Sequence, residues 1–292
     1  MSNYILAAVQ ADETGRHILD VARRVAAAQS ATLHVLNVVE PAIAVYADLN
    51  FAPLAETSGD WQRAIMRENQ RFLESCVEGA DATVTVIEGR PVFEISRRAE
   101  EAGADLIVMG LHNRRGLQRL MGSTTNGVLN HSHCNLLAVH PDSGSEAYGK
   151  VLIAIDTTEL AEHVLELGKA HATDTSDVAV ISALIPLNTV FAAPEAGRGL
   201  DWSFTELSND VYQHTRCKLK GLTTGHGLTE AQLEIAWGEP RDEIVRAAQE
   251  HHSELITIGA NNRNALNRLL LGSTARGVLD RAPCDVLVYH PT

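Results

Sequence analysis

Asp105–Gly110 reads DLIVMG, and Glu254–Gly259 reads ELITIG. Each segment is a short apolar run that ends in glycine, which is typical of a buried strand in a parallel sheet. The two glycines stand 149 residues apart (259 − 110). We therefore interpret the two segments as the same strand in two copies of one domain.

Three further motifs recur in the same order and at nearly the same offset. They are the pairs Gly89–Pro91 and Gly238–Pro240, Gly122–Thr124 and Gly272–Thr274, and Cys134–Pro141 and Cys284–Pro291. A nearly constant offset over separated motifs indicates duplication. The sequence therefore predicts two domains, 1–142 and 149–292, joined by a polar stretch rich in glycine and serine.

Each half alternates short apolar runs with amphipathic segments. In the first half, strands are predicted at 5–9, 33–39, 83–87, 105–109 and 135–140, and helices at 14–29, 60–78, 91–103 and 123–132. This alternation favours an α/β fold, a doubly wound parallel sheet with helices on both faces. The aromatic side chains of Trp61 and Trp202 are predicted to lie in the core. Long irregular segments at 40–59 and 185–201 are candidate functional flaps.

Composition and charge exclude several classes of protein. The chain of 292 residues carries a formal charge of −13, which argues against a nucleic-acid partner because phosphate backbones are bound by clustered Lys and Arg. No apolar run approaches the roughly 20 residues of a membrane-spanning helix. The start lacks an export signal, and the four cysteines form no Cys-x-x-Cys pair. We therefore expect a cytoplasmic protein with no membrane span.

Candidate ligand residues follow the fourth strand of each half. Glycine directly after a buried strand lets the backbone approach a ligand closely. A Gly-Ser-Thr sequence that opens a helix offers free N–H groups, a hydroxyl and the positive end of the helix dipole, which suits a phosphate. The alternative is that the Ser or Thr is simply the helix N-cap. Because the motif occurs in matched context in both halves, we favour the ligand interpretation.

These residues resemble the universal stress protein family, in its tandem form. The family signature is Gly-x-x-Gly, nine residues, then Gly-Ser or Gly-Thr. The resemblance covers nearly the whole chain, twice. It implies a Rossmann-like, adenine nucleotide alpha hydrolase-like fold with five parallel strands in the order 3-2-1-4-5. It also implies ATP or AMP at the edge between the first and fourth strands, Mg²⁺ as an optional companion of ATP, and homodimer contacts through the last strand.

The resemblance assigns a set of binding residues to each half. In the second half, Asp156 is expected to meet the adenine or ribose, and the turn and helix start are expected to hold phosphates. Both halves have asparagine where the family has its second glycine, and asparagine is the residue best able to replace glycine at positive φ. The first half has Gln10 in place of Asp156 and only eight residues between Asn113 and Gly122, so the second domain is favoured. The remaining assigned residues are Gly259, Asn262, Arg263, Gly272, Ser273 and Thr274 in the second half, and Gly110, Ser123 and Thr124 in the first.

Signals for catalysis or metal binding are weak. His131-Ser132-His133-Cys134 holds zinc-ligand types close together. The second half has Asp280–Cys284 there, without the histidines, so a solvated turn is favoured. The sequence contains no nucleophile elbow, Walker motif or dinucleotide fingerprint after the first strand. No catalytic residue and no metal site are therefore assigned, and any hydrolysis of ATP is expected to be slow and incidental.

The sequence hypothesis is a stress-response protein that binds an adenine nucleotide, chiefly in its second domain, and acts as a sensor or interaction module. Its protein partner is unknown. One alternative is a non-nucleotide interaction protein, or a binder of another small or lipid-like ligand, with degenerate pockets. A second alternative is an enzyme of the wider adenine nucleotide alpha hydrolase-like group, which would show steady turnover that depends on Asp156.

Overall fold

The computed structural model describes residues 4–41, 55–111, 122–144, 146–186, 201–260 and 271–291. Contacts divide the chain into two compact units, which begin at Met1 and Ala147. No helix within these described residues is both long enough and apolar enough to cross a membrane. The predicted flaps and the two loops that follow the fourth strands lie largely outside the described residues.

The first unit contains a parallel sheet of five strands. Their bounds are β1 Tyr4–Ala8, β2 Thr32–Val39, β3 Ala82–Glu88, β4 Leu106–Gly110 and β5 Asn135–Val139. The helices are α1 Glu13–Gln29, α2 Ala55–Cys76, α3 Pro91–Ala102 and α4 Ser123–His131. Strand β1 pairs in parallel with both β2 and β4, β2 with β3, and β4 with β5. The order is therefore β3-β2-β1-β4-β5.

The second unit repeats this arrangement. Its strands are β6 Val151–Ala154, β7 Val178–Leu184, β8 Leu233–Trp237, β9 Leu255–Gly259 and β10 Asp285–Tyr289. The helices are α5 Ala161–His171, α6 Asp201–Gly225, α7 Pro240–Glu250 and α8 Ser273–Arg281. Parallel pairing gives the order β8-β7-β6-β9-β10. The predicted fold, two α/β domains with strand order 3-2-1-4-5, is confirmed.

The first strand and the proline-initiated helices show how the sequence produces these elements. Ile5, Leu6 and Ala7 are each at most 1% exposed, because helices cover both faces of the sheet and every side chain of a central strand is buried. Pro91 and Pro240 open α3 and α7, where the missing N–H costs no helical hydrogen bond. The predicted strand ends agree with the structure to within a residue or so.

Helix α2 differs from its prediction in extent and in packing. It begins at Ala55 and ends at Cys76, whereas the sequence predicted residues 60–78. Trp61 is 57% exposed on this helix, so its assignment to the core is wrong. The size of an indole ring favoured burial, but the helix turns that side chain toward solvent. The side chain of Trp202 lies outside the described part of the chain.

Thr257 places a hydroxyl in the core of the second unit. The residue is fully buried on β9, and its Oγ1 has no hydrogen-bond partner in the part of the chain that the structure describes. Its counterpart in the first unit, 149 residues earlier (257 − 108), is the equally buried Val108. A buried hydroxyl without a partner lowers stability, whereas a methyl group of the same shape does not.

We therefore expect Thr257→Val to raise the free energy of unfolding by about 1 kcal/mol. The reverse exchange, Val108→Thr, is expected to lower it by about 1–3 kcal/mol. Urea denaturation followed by circular dichroism measures both changes. A loss of stability in Thr257→Val would show that the hydroxyl is satisfied in solution and would contradict the prediction.

Candidate functional site

The carboxyl ends of β6 and β9 bring predicted site residues of the second unit to one edge. Ala154 lies opposite Ile258 in the parallel register, so Asp156 and Ala260, each two residues further on, leave the sheet side by side. The Gly272 amide then donates to the Ala260 carbonyl oxygen at 2.8 Å. This bond returns the chain to the edge at which Asp156 lies.

Helix α8 begins at this edge, and no side chain of the described residues caps its amino end. Gly272 is the N-cap, with φ −63° and ψ 152°. The backbone N–H groups of Ser273 and Thr274 have no acceptor among the described residues. Ser273 is exposed and Thr274 is half-buried. Free amides and the positive end of the helix dipole form a suitable place for an anion.

The same geometry occurs at the start of α4 in the first unit. Gly122 is the N-cap there, with φ −58° and ψ 142° and no side-chain cap. The alternative interpretation of Gly-Ser-Thr, in which a hydroxyl caps the helix, is therefore wrong in both halves. One difference is that the Thr125 hydroxyl donates to the Gly110 carbonyl oxygen at 2.9 Å, whereas the second unit has the buried Ala275 at this position.

Asp156 is the acidic residue of the site, and its carboxylate is held in a fixed orientation. Its Oδ1 accepts from the Thr158 backbone N–H at 2.9 Å and from the Thr158 hydroxyl. The residue is partly exposed. A carboxylate that is oriented by its own turn and open to solvent is suited to accept hydrogen bonds from a ligand.

The glycines that end the fourth strands contact helices rather than open space. A Cβ on Gly110 would lie 3.1 Å from Ile18 Cδ1, and one on Gly259 would lie 3.4 Å from Val164 Cγ2. The predicted reason for these glycines was close approach of a ligand. The structure adds a packing reason, which is stronger at Gly110 because the contact there is tighter.

A buried amide closes the corresponding edge of the first unit. Asn37 is 4% exposed and donates from Nδ2 to the Val9 carbonyl oxygen at 2.8 Å. Its Oδ1 accepts from Asn69 Nδ2 of α2 at 3.0 Å. Leu36 beside β1 and Ile181 beside β6 occupy equivalent positions in the two sheets. The next residue, Asn37 in the first unit, therefore corresponds to the smaller Ser182 in the second.

Sequence reasoning missed Asn37. One asparagine in an apolar strand gives no signal beyond its polarity in a run of buried residues. Its bridge ties β1, β2 and α2 together at the edge where Gln10 replaces the acid.

Three predicted binding residues, Asn113, Asn262 and Arg263, lie outside the described residues. Their assignment to the phosphate-binding turn stays a prediction. The described part of the site consists of Asp156, Gly259 and the start of α8, together with the matching start of α4.

The histidines before β5 are exposed, whereas Cys134 is only partly exposed. Burial raises the pKa of the Cys134 thiol to about 12, and zinc binds the thiolate. His131 and His133 are both exposed. The Nδ1 of His131 donates to the Gly127 carbonyl oxygen at 2.7 Å. These observations favour the solvated-turn interpretation for the histidines.

Comparisons with known proteins agree with the duplicated fold. The sequence model of the universal stress protein family matches residues 1–140 and 147–290. Universal stress protein A homolog 1 of Coxiella burnetii is 31% identical over 139 residues, which are 47% of this chain and 94% of that protein. A universal stress protein of Methanocaldococcus jannaschii is 28% identical over 151 residues, 50% of this chain and 84% of that protein. The crystal structure of a universal stress protein from Archaeoglobus fulgidus is similar in fold, with a TM-score of 0.67 and 19% sequence identity. The match covers 100% of this chain and 100% of that chain.

Proposed function

Because the chain belongs to the universal stress protein family, we propose that its second domain binds an adenine nucleotide, ATP or AMP. In this proposal the protein is a stress-response sensor or interaction module of the cytoplasm rather than an enzyme. It forms a homodimer, it acts through a protein partner, and Mg²⁺ is an optional companion of ATP. The observation that supports the proposal best is the uncapped amino end of α8 on the edge that Asp156 shares.

The two ends of the proposed site suit the two ends of a nucleotide. The free amides of Ser273 and Thr274 would bind phosphate oxygens, and the helix dipole would favour their charge. The Asp156 carboxylate would accept hydrogen bonds from the ribose or the adenine. The net charge of −13 opposes long-range attraction of an anion, so the local amides must supply the affinity.

The second domain is preferred because it has the Asp156 carboxylate at this edge. In the first domain the Asn37 bridge ties the first two strands to α2, and Gln10 replaces the carboxylate. A neutral amide still accepts hydrogen bonds, but more weakly than a carboxylate does. We therefore expect one stronger nucleotide site for each chain.

Ser273→Asp is expected to weaken ATP binding by about tenfold or more, because a carboxylate at the first position of α8 repels phosphate. The helix dipole stabilises a negative charge at the amino end of α8, so the free energy of unfolding of the domain should not fall. Isothermal titration of the full chain with ATP and with adenosine measures the effect. Adenosine affinity should change little, and the matched variant Ser123→Asp in the first domain should leave the stronger site intact.

Asp156→Ala tests the other end of the site. It is expected to weaken ATP and adenosine alike by about tenfold or more, since a hydrogen bond to a charged group is worth about 1.5–3 kcal/mol. Gln10→Ala is the matched control. Unchanged ATP affinity in both Asp156→Ala and Ser273→Asp, or no ATP binding by the unaltered chain, would overturn the proposal in favour of a non-nucleotide module.

A further inference from the structure

Three side chains of metal-ligating types converge in the second unit. Glu162 and Glu166 lie one turn apart on α5, and His226 directly follows the end of α6. One ligand atom from each residue lies within 4.8 Å of the other two. Glu162 Oε1 and His226 Nε2 are 3.3 Å apart.

We propose that Glu162, Glu166 and His226 bind a divalent transition-metal ion of the zinc class, with water in the fourth position. Zinc binds imidazole nitrogen and carboxylate oxygen at about 2.0–2.2 Å, so adjacent ligands of a tetrahedral site lie about 3.3–3.5 Å apart. The separation of Glu162 and His226 matches this value. Both glutamates are exposed, so the Glu166 carboxylate can close the remaining distance by rotation of its side chain.

Hydrogen bonds at the end of α6 hold the main chain of His226. Its backbone N–H donates to the carbonyl oxygens of Leu222 and Thr223 at 3.2 and 3.1 Å. The Lys169 ammonium donates to the His226 carbonyl oxygen. These contacts fix the main chain from which the imidazole extends toward α5, and pre-organised ligands lower the cost of binding.

The two glutamates of α5 also favour a cation. Two carboxylates four residues apart on one helix face repel each other. Among the described residues, Glu162 forms an ion pair with His226 and Glu166 forms none. A divalent ion between the carboxylates would remove the repulsion and would bind the neutral imidazole in place of a proton.

The first unit has no equivalent trio at the matching positions. Glu162 corresponds to Arg16 and Glu166 to Asp20, both at an offset of 146 residues (162 − 16 and 166 − 20). Cys76 ends α2, where His226 follows α6. Arginine cannot ligate a cation, so the duplicated scaffold does not itself require this cluster. The first unit therefore serves as an internal comparison.

Titration of the untagged full chain with Zn²⁺, in competition with a chromophoric chelator, tests the proposal. We expect one site per chain whose affinity falls at least tenfold in His226→Gln and in Glu162→Gln. His131→Gln is the control, because His131 is an exposed histidine of the rival His-Ser-His-Cys segment. Circular dichroism of the metal-free variants should match the unaltered chain, since the substituted glutamate is exposed and His226 is only half-buried.

Replacement of Zn²⁺ by Co²⁺ adds a spectroscopic readout of the ligands. The visible absorption of bound Co²⁺ should be lost in His226→Gln and kept in His131→Gln. Three outcomes would each overturn the proposal. They are equal Zn²⁺ affinity in all the variants, a loss of affinity confined to His131→Gln, and the absence of stoichiometric Zn²⁺ binding by the unaltered chain. Nucleotide titration of His226→Gln is a separate measurement, because His226 is not among the residues proposed to bind the nucleotide.

Discussion

Gly15→Ala is expected to lower the free energy of unfolding of the first domain by about 3 kcal/mol or more, a cost at the upper end of overpacking. A Cβ at Gly15 would lie 1.8 Å from the Gln10 carbonyl oxygen and 2.9 Å from its carbonyl carbon. Both are backbone atoms, so no side-chain rotation relieves the contact. The end of β1 and the start of α1 would have to move apart.

The local hydrogen bonds make that movement costly. The Asp12 carboxylate caps α1 by accepting from the Gly15 N–H at 2.8 Å, and the Arg16 N–H donates to the Asp12 carbonyl oxygen at 2.9 Å. Separation of the two segments would strain the cap, whose loss alone costs about 1 kcal/mol. The second domain builds this connection differently and has Ala161 at the position of Gly15, an offset of 146 (161 − 15).

Ala161→Gly is the matched control, expected to cost only about 0.5–1 kcal/mol through the greater freedom of glycine. Hydrogen exchange read by mass spectrometry separates the two domains, because peptides from β1 and β6 report on each. Faster exchange should be confined to the first domain in Gly15→Ala. A change in stability below about 1 kcal/mol would show that the chain relaxes around the added methyl group.

The fold could be predicted from the sequence because its signals are local and occur twice. Apolar runs, helix-opening prolines and the repeated Gly-Ser-Thr each report on a few neighbouring residues. The duplication then supplies an internal check on each assignment. The position of Asp156 at the same edge as Gly272 follows from the rule that parallel strands carry their carboxyl ends together.

Features that depend on contacts between residues distant in the sequence could not be predicted from local patterns. Asn37 meets Asn69 only because α2 folds over β2. Glu162 lies on α5 and His226 lies just beyond the end of α6, 64 residues further along the chain. The exposure of Trp61 depends on which face of α2 turns toward the sheet. Side-chain identity and spacing along the chain do not determine any of these contacts.

Tyr148 lies in the stretch that the sequence predicts to be a polar joint between the domains, but its side chain is buried. The side chain is 4% exposed, and its hydroxyl donates to Asp285 Oδ2 at 2.6 Å. Asp285 opens β10 and is fully buried. The Tyr148 carbonyl oxygen also accepts from the Thr173 N–H at 3.1 Å. Tyr148 therefore joins the entry to β6 with β10 at the amino edge of the second sheet.

Tyr148→Phe is expected to destabilise the second domain by about 2 kcal/mol, within the range of about 1.5–3 kcal/mol for a hydrogen bond to a charged group. The aromatic ring and its packing are kept, so the loss reports on the hydroxyl. Urea denaturation measures the change. Tyr212→Phe is the control, because its half-buried hydroxyl on α6 has no hydrogen bond among the described residues.

A double-mutant cycle with Asp285→Asn isolates the pair, because two residues in contact show a coupling energy that distant residues lack. Asparagine keeps the shape of the carboxylate but removes its charge, so Tyr148→Phe should cost less in the Asp285→Asn background than in the unaltered chain. The difference between the two costs is the coupling of the hydroxyl with the buried carboxylate. Equal costs in both backgrounds would mean that the tyrosine stabilises the domain by packing alone, and the edge of the sheet would then be held by Thr173 and the β10 ladder instead.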